Sequence, residues 1–323
     1  MERRLKRAKT GRRRAARPAG ARSAAAKAAA KAAGRRVAES TRAVAASSVA
    51  KARDLRRSAI QALQPPGPLE MPHLSLLRAP ALPMTTAAMG QEITVASYNV
   101  HRWTGLNGRA RPDAARAGFV ISEIEADVIA LQEVLRPYED ADPLEILCES
   151  LGLHLAFAAT RMHRRGELGN AILSRFPITS ISVLDISLSR LERRGALAAQ
   201  FNSPAGQLGV VATHLSLVDR LRHRQVQMLL EHPQLNCGPA VLVGDLNAWR
   251  KCKGTQSLEQ NLHRHNNVEW PSTFPAAAPM LALDRVYAKG AEVLDVHVHD
   301  TPASRRASDH LPVLARIQLS KDD

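Results

Sequence analysis

Ala240-Val241-Leu242-Val243-Gly244-Asp245-Leu246-Asn247 sets a short apolar run against an abrupt polar end. Four apolar residues closed by glycine read as a strand over 240–243, and the strand delivers a carboxylate and an amide where it stops. The same arrangement recurs along the chain. Ile93 to Val100 reads as a strand ending in Tyr98-Asn99, and Asp127 to Leu131 as a fully buried strand followed by Gln132-Glu133. Thr213-His214 follows Val210-Val211, and Ser308-Asp309-His310 immediately precedes a last strand over 311–319. One polar group at a strand end is ordinarily a turn cap or a solvated side chain. Five of them, each emerging from an apolar run, point to a shared rim at one end of packed sheets.

Further strands are predicted at 153–158, 170–175, 178–186, 195–202, 208–213, 282–288 and 293–298. Ala117, Val120, Ile121 and Ile124 make a helical stripe after Pro112. Asp142-Pro143-Leu144-Glu145 starts a second helix with Leu144, Leu147 and Leu151 on one face, which also places Cys148 in the core. Asp219 to Glu231 makes a third, aligning Leu221, Gln225, Met228 and Leu229. Many strands and few helices predict an α/β fold in which two sheets pack face to face with helices on their outer faces.

Outside this body the composition changes. Of the 323 residues, 45 are Lys or Arg and 30 are Asp or Glu, a net charge of +15. Residues 1–64 hold 19 of the basic residues and 3 of the acidic ones, so the body is close to neutral. None of the eleven aromatic residues precedes Tyr98. Residues 1–64 therefore read as an Ala/Arg/Lys-rich disordered tail able to bind polyanions non-specifically. Six prolines from Pro65 to Pro83 make 65–91 an extended linker, with the folded domain expected over 92–319. A transit segment, or a translation start at Met84 or Met89, is the alternative account of the tail. Three cysteines without paired spacing exclude a disulfide scaffold and a CxxC-type zinc site. No run is long and apolar enough to span a bilayer and no signal-peptide core follows the basic start, so a cytoplasmic monomer without stable membrane insertion is expected.

The strand-end set comprises two histidines, three carboxylates and two amides, with no thiolate. Oxygen-rich donors of this kind suit Mg²⁺ or Mn²⁺ better than zinc. A metal clamp, an oriented water and a His–Asp pair are the equipment for hydrolysing a phosphate ester.

Ser97-Tyr98-Asn99-Val100, Leu131-Gln132-Glu133-Val134, Thr213-His214-Leu215, Gly244-Asp245-Leu246-Asn247 and Ser308-Asp309-His310, in this order, resemble the endonuclease/exonuclease/phosphatase superfamily. The resemblance runs from about Ile93 to Leu319. It implies a four-layer α/β/β/α sandwich of two mixed, mostly antiparallel sheets and Mg²⁺-dependent phosphoester hydrolysis. By matching motif, Asn99 and Glu133 would hold the metal with Asp309 close to it. Asp245 and Asn247 would orient or deprotonate the attacking water and contact the phosphate. His310 resembles the catalytic histidine, Asp284 the aspartate that orients it, and His214 the second histidine of the site. Either Asp245 or His310 is the base. Gly169-Asn170-Ala171-Ile172-Leu173-Ser174, Arg193-Arg194-Gly195-Ala196-Leu197 and Thr273-Phe274-Pro275 are similar to segments of the small bacterial members. There Arg194 is a candidate phosphate ligand, while Asn170 either contacts substrate or caps a turn. The chain departs from the pattern at Glu167-Leu168, where an aromatic often precedes Gly-Asn.

The expected substrate is a phosphodiester, with nucleic acid ahead of a phospholipid or inositol phosphate. A catalytically silent binding module is disfavoured, since every expected catalytic side chain is present. Trp249, two residues beyond Asn247, either stacks on a base or headgroup at the rim or packs under its loop.

Overall fold

The computed structural model describes residues 72–138, 141–189, 192–262 and 269–319. The basic tail expected over 1–64 lies outside the described residues.

Twelve strands form two mixed sheets. In chain order they are β1 His73–Arg78, β2 Glu92–Asn99, β3 Val128–Pro137, β4 His154–His163, β5 Gly166–Ser174, β6 Ser180–Asp185, β7 Gly195–Ser203, β8 Gly206–His214, β9 Ala240–Asp245, β10 Asp284–Lys289, β11 Ala291–Val298 and β12 Val313–Leu319. Seven strands pair in the order β1-β4-β5-β3-β2-β12-β11 and five in the order β10-β9-β8-β7-β6. Only β2 with β3 and β8 with β9 run parallel; the other pairs are antiparallel.

Alternation of side chains along each strand decides the layering. Val95, Val128, Ala130, Ile172, Val210, Ala212, Val241, Val243, Val286 and Ala315 face the neighbouring sheet and make one continuous core. Residues of opposite parity in the seven-stranded sheet, among them Tyr98, Ile129, Leu131, Phe157 and Leu173, pack under α1 (Ala114–Ile124) and α2 (Pro143–Leu151). Asp113 caps α1 by accepting from the Ala115 amide, and Asp142 caps α2 by accepting from that of Leu144. Val211, Leu242 and Tyr287 on the outside of the five-stranded sheet pack under α3 (Asp219–Leu230) and α4 (Lys253–Asn261). A short α5 (Ser304–Ala307) precedes the last strand. The molecule is thus the α/β/β/α sandwich the sequence predicts, with α4 and α5 added. Among the described residues no helix is long and apolar enough to cross a membrane.

The same alternation carries polar residues inward at one end. Val95 is followed on its face by Ser97 and Asn99, Ile172 preceded by Asn170, Ala212 followed by His214, Val243 by Asp245, and Val286 preceded by Asp284. All of these polar side chains are buried. Gly244 lets β9 approach β8 just before Asp245. Its φ is +151° and a Cβ there would meet Thr213 O at 1.9 Å.

One boundary differs from expectation. His73–Arg78, placed in the Pro-rich linker by its composition, pairs antiparallel with β4 as an edge strand. Proline is tolerated beside an edge strand because it leaves no interior ladder bond unmade. Ser75 donates to Glu167, and Arg136 donates to Ser75 (3.0 Å), Glu167 (3.0 Å) and Asp142 (2.5 Å), which fastens β1 to β3, β5 and the start of α2. Met89, also in the linker by composition, is buried in the inter-sheet core. Removing residues 1–71 should therefore leave the melting temperature nearly unchanged, whereas a chain beginning at Gln91 should melt several degrees lower, at about 2–4 °C per kcal/mol lost. Thermal unfolding followed by circular dichroism checks this; equal melting temperatures would show that β1 and Met89 contribute nothing.

Candidate active site

The inward polar ends of β2, β8, β9 and β10 meet the loop before β12 around Asp245. Asn99 Nδ2 donates to Asp245 Oδ2 at 3.1 Å, and the Asn247 backbone amide donates to Asp245 Oδ1 at 3.0 Å. His214 Nε2 lies 3.3 Å and His310 Nε2 3.7 Å from Asp245 Oδ2. On its other side His310 Nδ1 donates to Asp284 Oδ2 at 2.8 Å, and Thr273 Oγ1 donates to the same oxygen at 2.6 Å. The Phe274 ring tilts against the imidazole with centroids 4.9 Å apart. Asp284 is fully buried, and its Oδ1 has no hydrogen-bond partner among the described residues.

Burial and charge set three protonation states. Burial disfavours a charged His310, but Asp284 and Asp245 outweigh it and raise its pKa to about 10. Burial pushes the Asp245 carboxyl up, with Asp284 adding to the rise and His310 opposing it, to about 6. His214 is held well below the usual imidazole range by burial first, then by Arg194 and His310. Near neutral pH the centre therefore holds a charged His310, a neutral His214 and an ionised Asp245.

Beside it Asn99, Glu133 and Asp309 converge on one turn. His101 and Arg102 follow Asn99 in a 3-10 turn, His101–Trp103; His101 Nδ1 lies 3.1 Å from Asp309 Oδ1, and Arg102 Nε 3.3 Å from Glu133 Oε2. Ser308 Oγ donates to Asn99 O at 2.6 Å and lies 3.3 Å from Asp309 Oδ1. Burial raises the Asp309 carboxyl, but the His101 hydrogen bond and the nearby His310 charge hold it below the usual range. Six non-glycine residues among those described have positive φ, and five belong to this region: His101, Arg102, Trp103, Glu133 and Asn247. Left-handed backbone costs of order 1–3 kcal/mol per residue at such positions and concentrates at functional sites. At Glu133 it coincides with a break in the β3–β5 register that turns the carboxylate out of the ladder.

Two groupings can receive a divalent ion. Ligand-type atoms of Asp245, Asp284 and His310 lie within 4.8 Å of one another. Asn99, Glu133 and Asp309 supply oxygen donors only, the chemistry that suits a hard ion, and both carboxylates already draw positively polarised groups to themselves.

Arg194 and Asn170 border the same cleft as Glu133, Arg161, Arg193 and His214. Arg194 is held by Glu192 at 3.0 and 3.2 Å, and Glu192 accepts from Ser216 Oγ at 2.7 Å. Asn170 Nδ2 donates to Gly195 O at 2.9 Å, so this side chain ties the two sheets together at the cleft. Sequence reasoning missed Thr273 as a partner of Asp284, and missed His101, Arg102 and Arg161. His101 and Arg102 lie two and three residues beyond the Asn99 strand end, which is the signal that could have found them. The near-neutral charge of the body also hides the local grouping of Arg161, Arg193 and Arg194.

The chain is similar to several known proteins. The uncharacterized protein YbhP of Escherichia coli strain K12 is 31% identical over 246 residues, which covers 70% of this chain and 96% of YbhP. An endonuclease/exonuclease/phosphatase from Beutenbergia cavernae superposes with a TM-score of 0.59 at 24% identity, covering 71% of this chain and 72% of that one. D. rerio TDP2, solved in complex with a single-strand DNA product, superposes at 0.53 and 15% identity, covering 70% and 98%. These likenesses concern the sandwich. Residues 96–310, from β2 to the histidine before β12, match the Endonuclease/Exonuclease/phosphatase family, and the chain belongs to it.

Proposed function

We propose that this protein is a Mg²⁺- or Mn²⁺-dependent phosphodiester hydrolase. The observation that carries the reading is the buried contact of His310 with Asp284, set against Asp245 at 3.7 Å. A metal held by Asn99 and Glu133, with Asp309 close to it, would supply charge neutralisation at the phosphate. His310, kept protonated by Asp284, presents Nε2–H to a phosphate oxygen and stabilises its growing charge. Because His310 keeps its proton near neutral pH, Asp245 is the group free to take one from water. The Asn99 amide and the Asn247 backbone fix its two oxygens for that task. Neutral His214 hydrogen-bonds the phosphate or assists the leaving group, Arg194 adds positive charge at the cleft, and Asn170 holds the cleft wall. Nucleic acid is favoured over lipid by the arginines that border the site.

Hydrolysis of supercoiled DNA, abasic duplex, RNA, phospholipids and inositol phosphates, each with Mg²⁺ and with EDTA, tests the assignment. Activity on a phosphodiester should require the metal, and Glu133→Gln should lower it at fixed Mg²⁺ and recover partly at higher Mg²⁺. Full activity in EDTA would reject the mechanism. The pH profile has a defined sign. Asp245 must be ionised, so kcat/KM should fall as pH drops through about 6. His310 must be protonated, so it should also fall as pH rises through about 10. His310→Ala should lower kcat by about 10²–10⁴-fold, and Asp284→Ala added to it should cost little more, since the two act as one unit. Fully multiplicative losses would separate them.

A further inference from the structure

A second cleft opens on the outer side of the five-stranded sheet. The register pairs Asp284 with Asp245 and Arg285 with Gly244, so alternation sends Asp284 into the site and Arg285 to the opposite face of β10. Arg285 and Trp270 line this cleft together with Trp249, Arg250 and Lys251. Trp249 lies two residues beyond Asn247, on the loop that leaves β9 at Asp245.

The chemistry of the lining is specific. Trp249 is 42% exposed, yet the Arg222 guanidinium lies 5.7 Å from its ring centroid, which supports the indole and leaves aromatic surface open. Trp270 is held in the same way, with Arg285 at 5.7 Å and the Tyr287 ring at 5.2 Å. Arg285 is only 6% exposed, and its hydrogen bonds go to neutral oxygens: Ala248 O, Ala282 O and Tyr287 Oη. No carboxylate among the described residues lies within ion-pair distance of it. The Trp270 indole N–H is also buried without an acceptor among the described residues. Among the described residues Glu259 and Glu269 border the cleft as well, and Arg250 is paired with Asp219 at 3.0 Å. A buried arginine without a counter-ion among the described residues, an unused indole donor and an open aromatic face suit a flat, hydrogen-bond-accepting ring joined to a negatively charged group.

We propose that the Trp249–Trp270–Arg285 cleft takes a nucleobase of a single-stranded nucleic acid, next to the nucleotide whose phosphodiester occupies the Asp245–His310 centre. The assignment rests on the phosphodiesterase reading and narrows its substrate class. Stacking on an indole tolerates any base, because every base has a π-face. The bordering Lys251 neutralises backbone phosphate beyond it.

Binding in EDTA separates this claim from catalysis. Fluorescence anisotropy of a short labelled single-stranded DNA, at a salt concentration high enough to suppress tail binding, is measured on the full chain. Trp249→Leu keeps bulk and removes the ring, while Trp249→Phe keeps a ring. The leucine variant should bind about tenfold more weakly, the effect of one stacked base, and the phenylalanine variant should recover most of the loss. Both should keep the circular-dichroism spectrum and melting temperature of the parent, which shows that they are folded. Unchanged DNA binding by Trp249→Leu, or no DNA binding by the parent chain, would overturn the cleft assignment. So would a loss confined to phosphatidylserine vesicles, which would turn Trp249 and the nearby exposed Leu217 and Val218 into a lipid contact. Absence of hydrolysis on every phosphoester, with DNA binding still dependent on Trp249, would reject the proposed activity and leave the cleft assignment standing.

Discussion

The structure turns on the 2.8 Å contact between His310 and Asp284, buried at the end of the inter-sheet core. Two carboxylates, Asp245 and Asp284, share one imidazole in a space almost closed to water. Removing charge from water is costly unless it is paired. The trio settles this by keeping His310 protonated between the two carboxylates, while burial raises the Asp245 carboxyl to about 6. The charges still sum to a deficit of positive charge once Asp245 ionises, which suits a centre that receives a cation and a phosphate together.

Alternation along the strands is what places these groups. A strand that buries Val95 and then Ser97 and Asn99 on the same face must deliver polar atoms into the gap between sheets. The same holds for Ala212 with His214 and Val243 with Asp245. The fold and the chemistry therefore share one periodicity, in which the apolar part of each inward face builds the core and its last residue builds the site. Left-handed backbone at His101–Trp103 and Asn247 in the connections, and at Glu133 where the register of β3 breaks, aims side chains that regular strands could not.

This explains what was legible in the chain and what was not. Strand ends such as Val243-Gly244-Asp245 announce themselves because the change from apolar to polar is local and abrupt. β1 does not, because Leu74 and Leu77 stay exposed on an edge strand and its partner β4 lies some 80 residues away. α4 carries a weak apolar stripe, with Leu258 as its main buried anchor, and its start rests on a Cys252–Thr255 capping pair that composition does not reveal. Neighbours across sheets, such as Asn170 with Gly195 O, depend on packing and escape any local pattern. Net charge averages over the surface, so a near-neutral body conceals both the arginines beside His214 and those around Trp249.

The central claim is that Asp284 keeps His310 charged so that Asp245 serves as the base. Nuclear magnetic resonance of the His310 imidazole in labelled protein, titrated from pH 5 to pH 9 by comparison with Asp284→Asn, tests it most directly. The account predicts an imidazolium signal that persists to the top of this range in the parent protein and a titration displaced to lower pH in the variant. An imidazole that titrates near its ordinary value of about 6.5 in the parent protein, unchanged by the substitution, would contradict it.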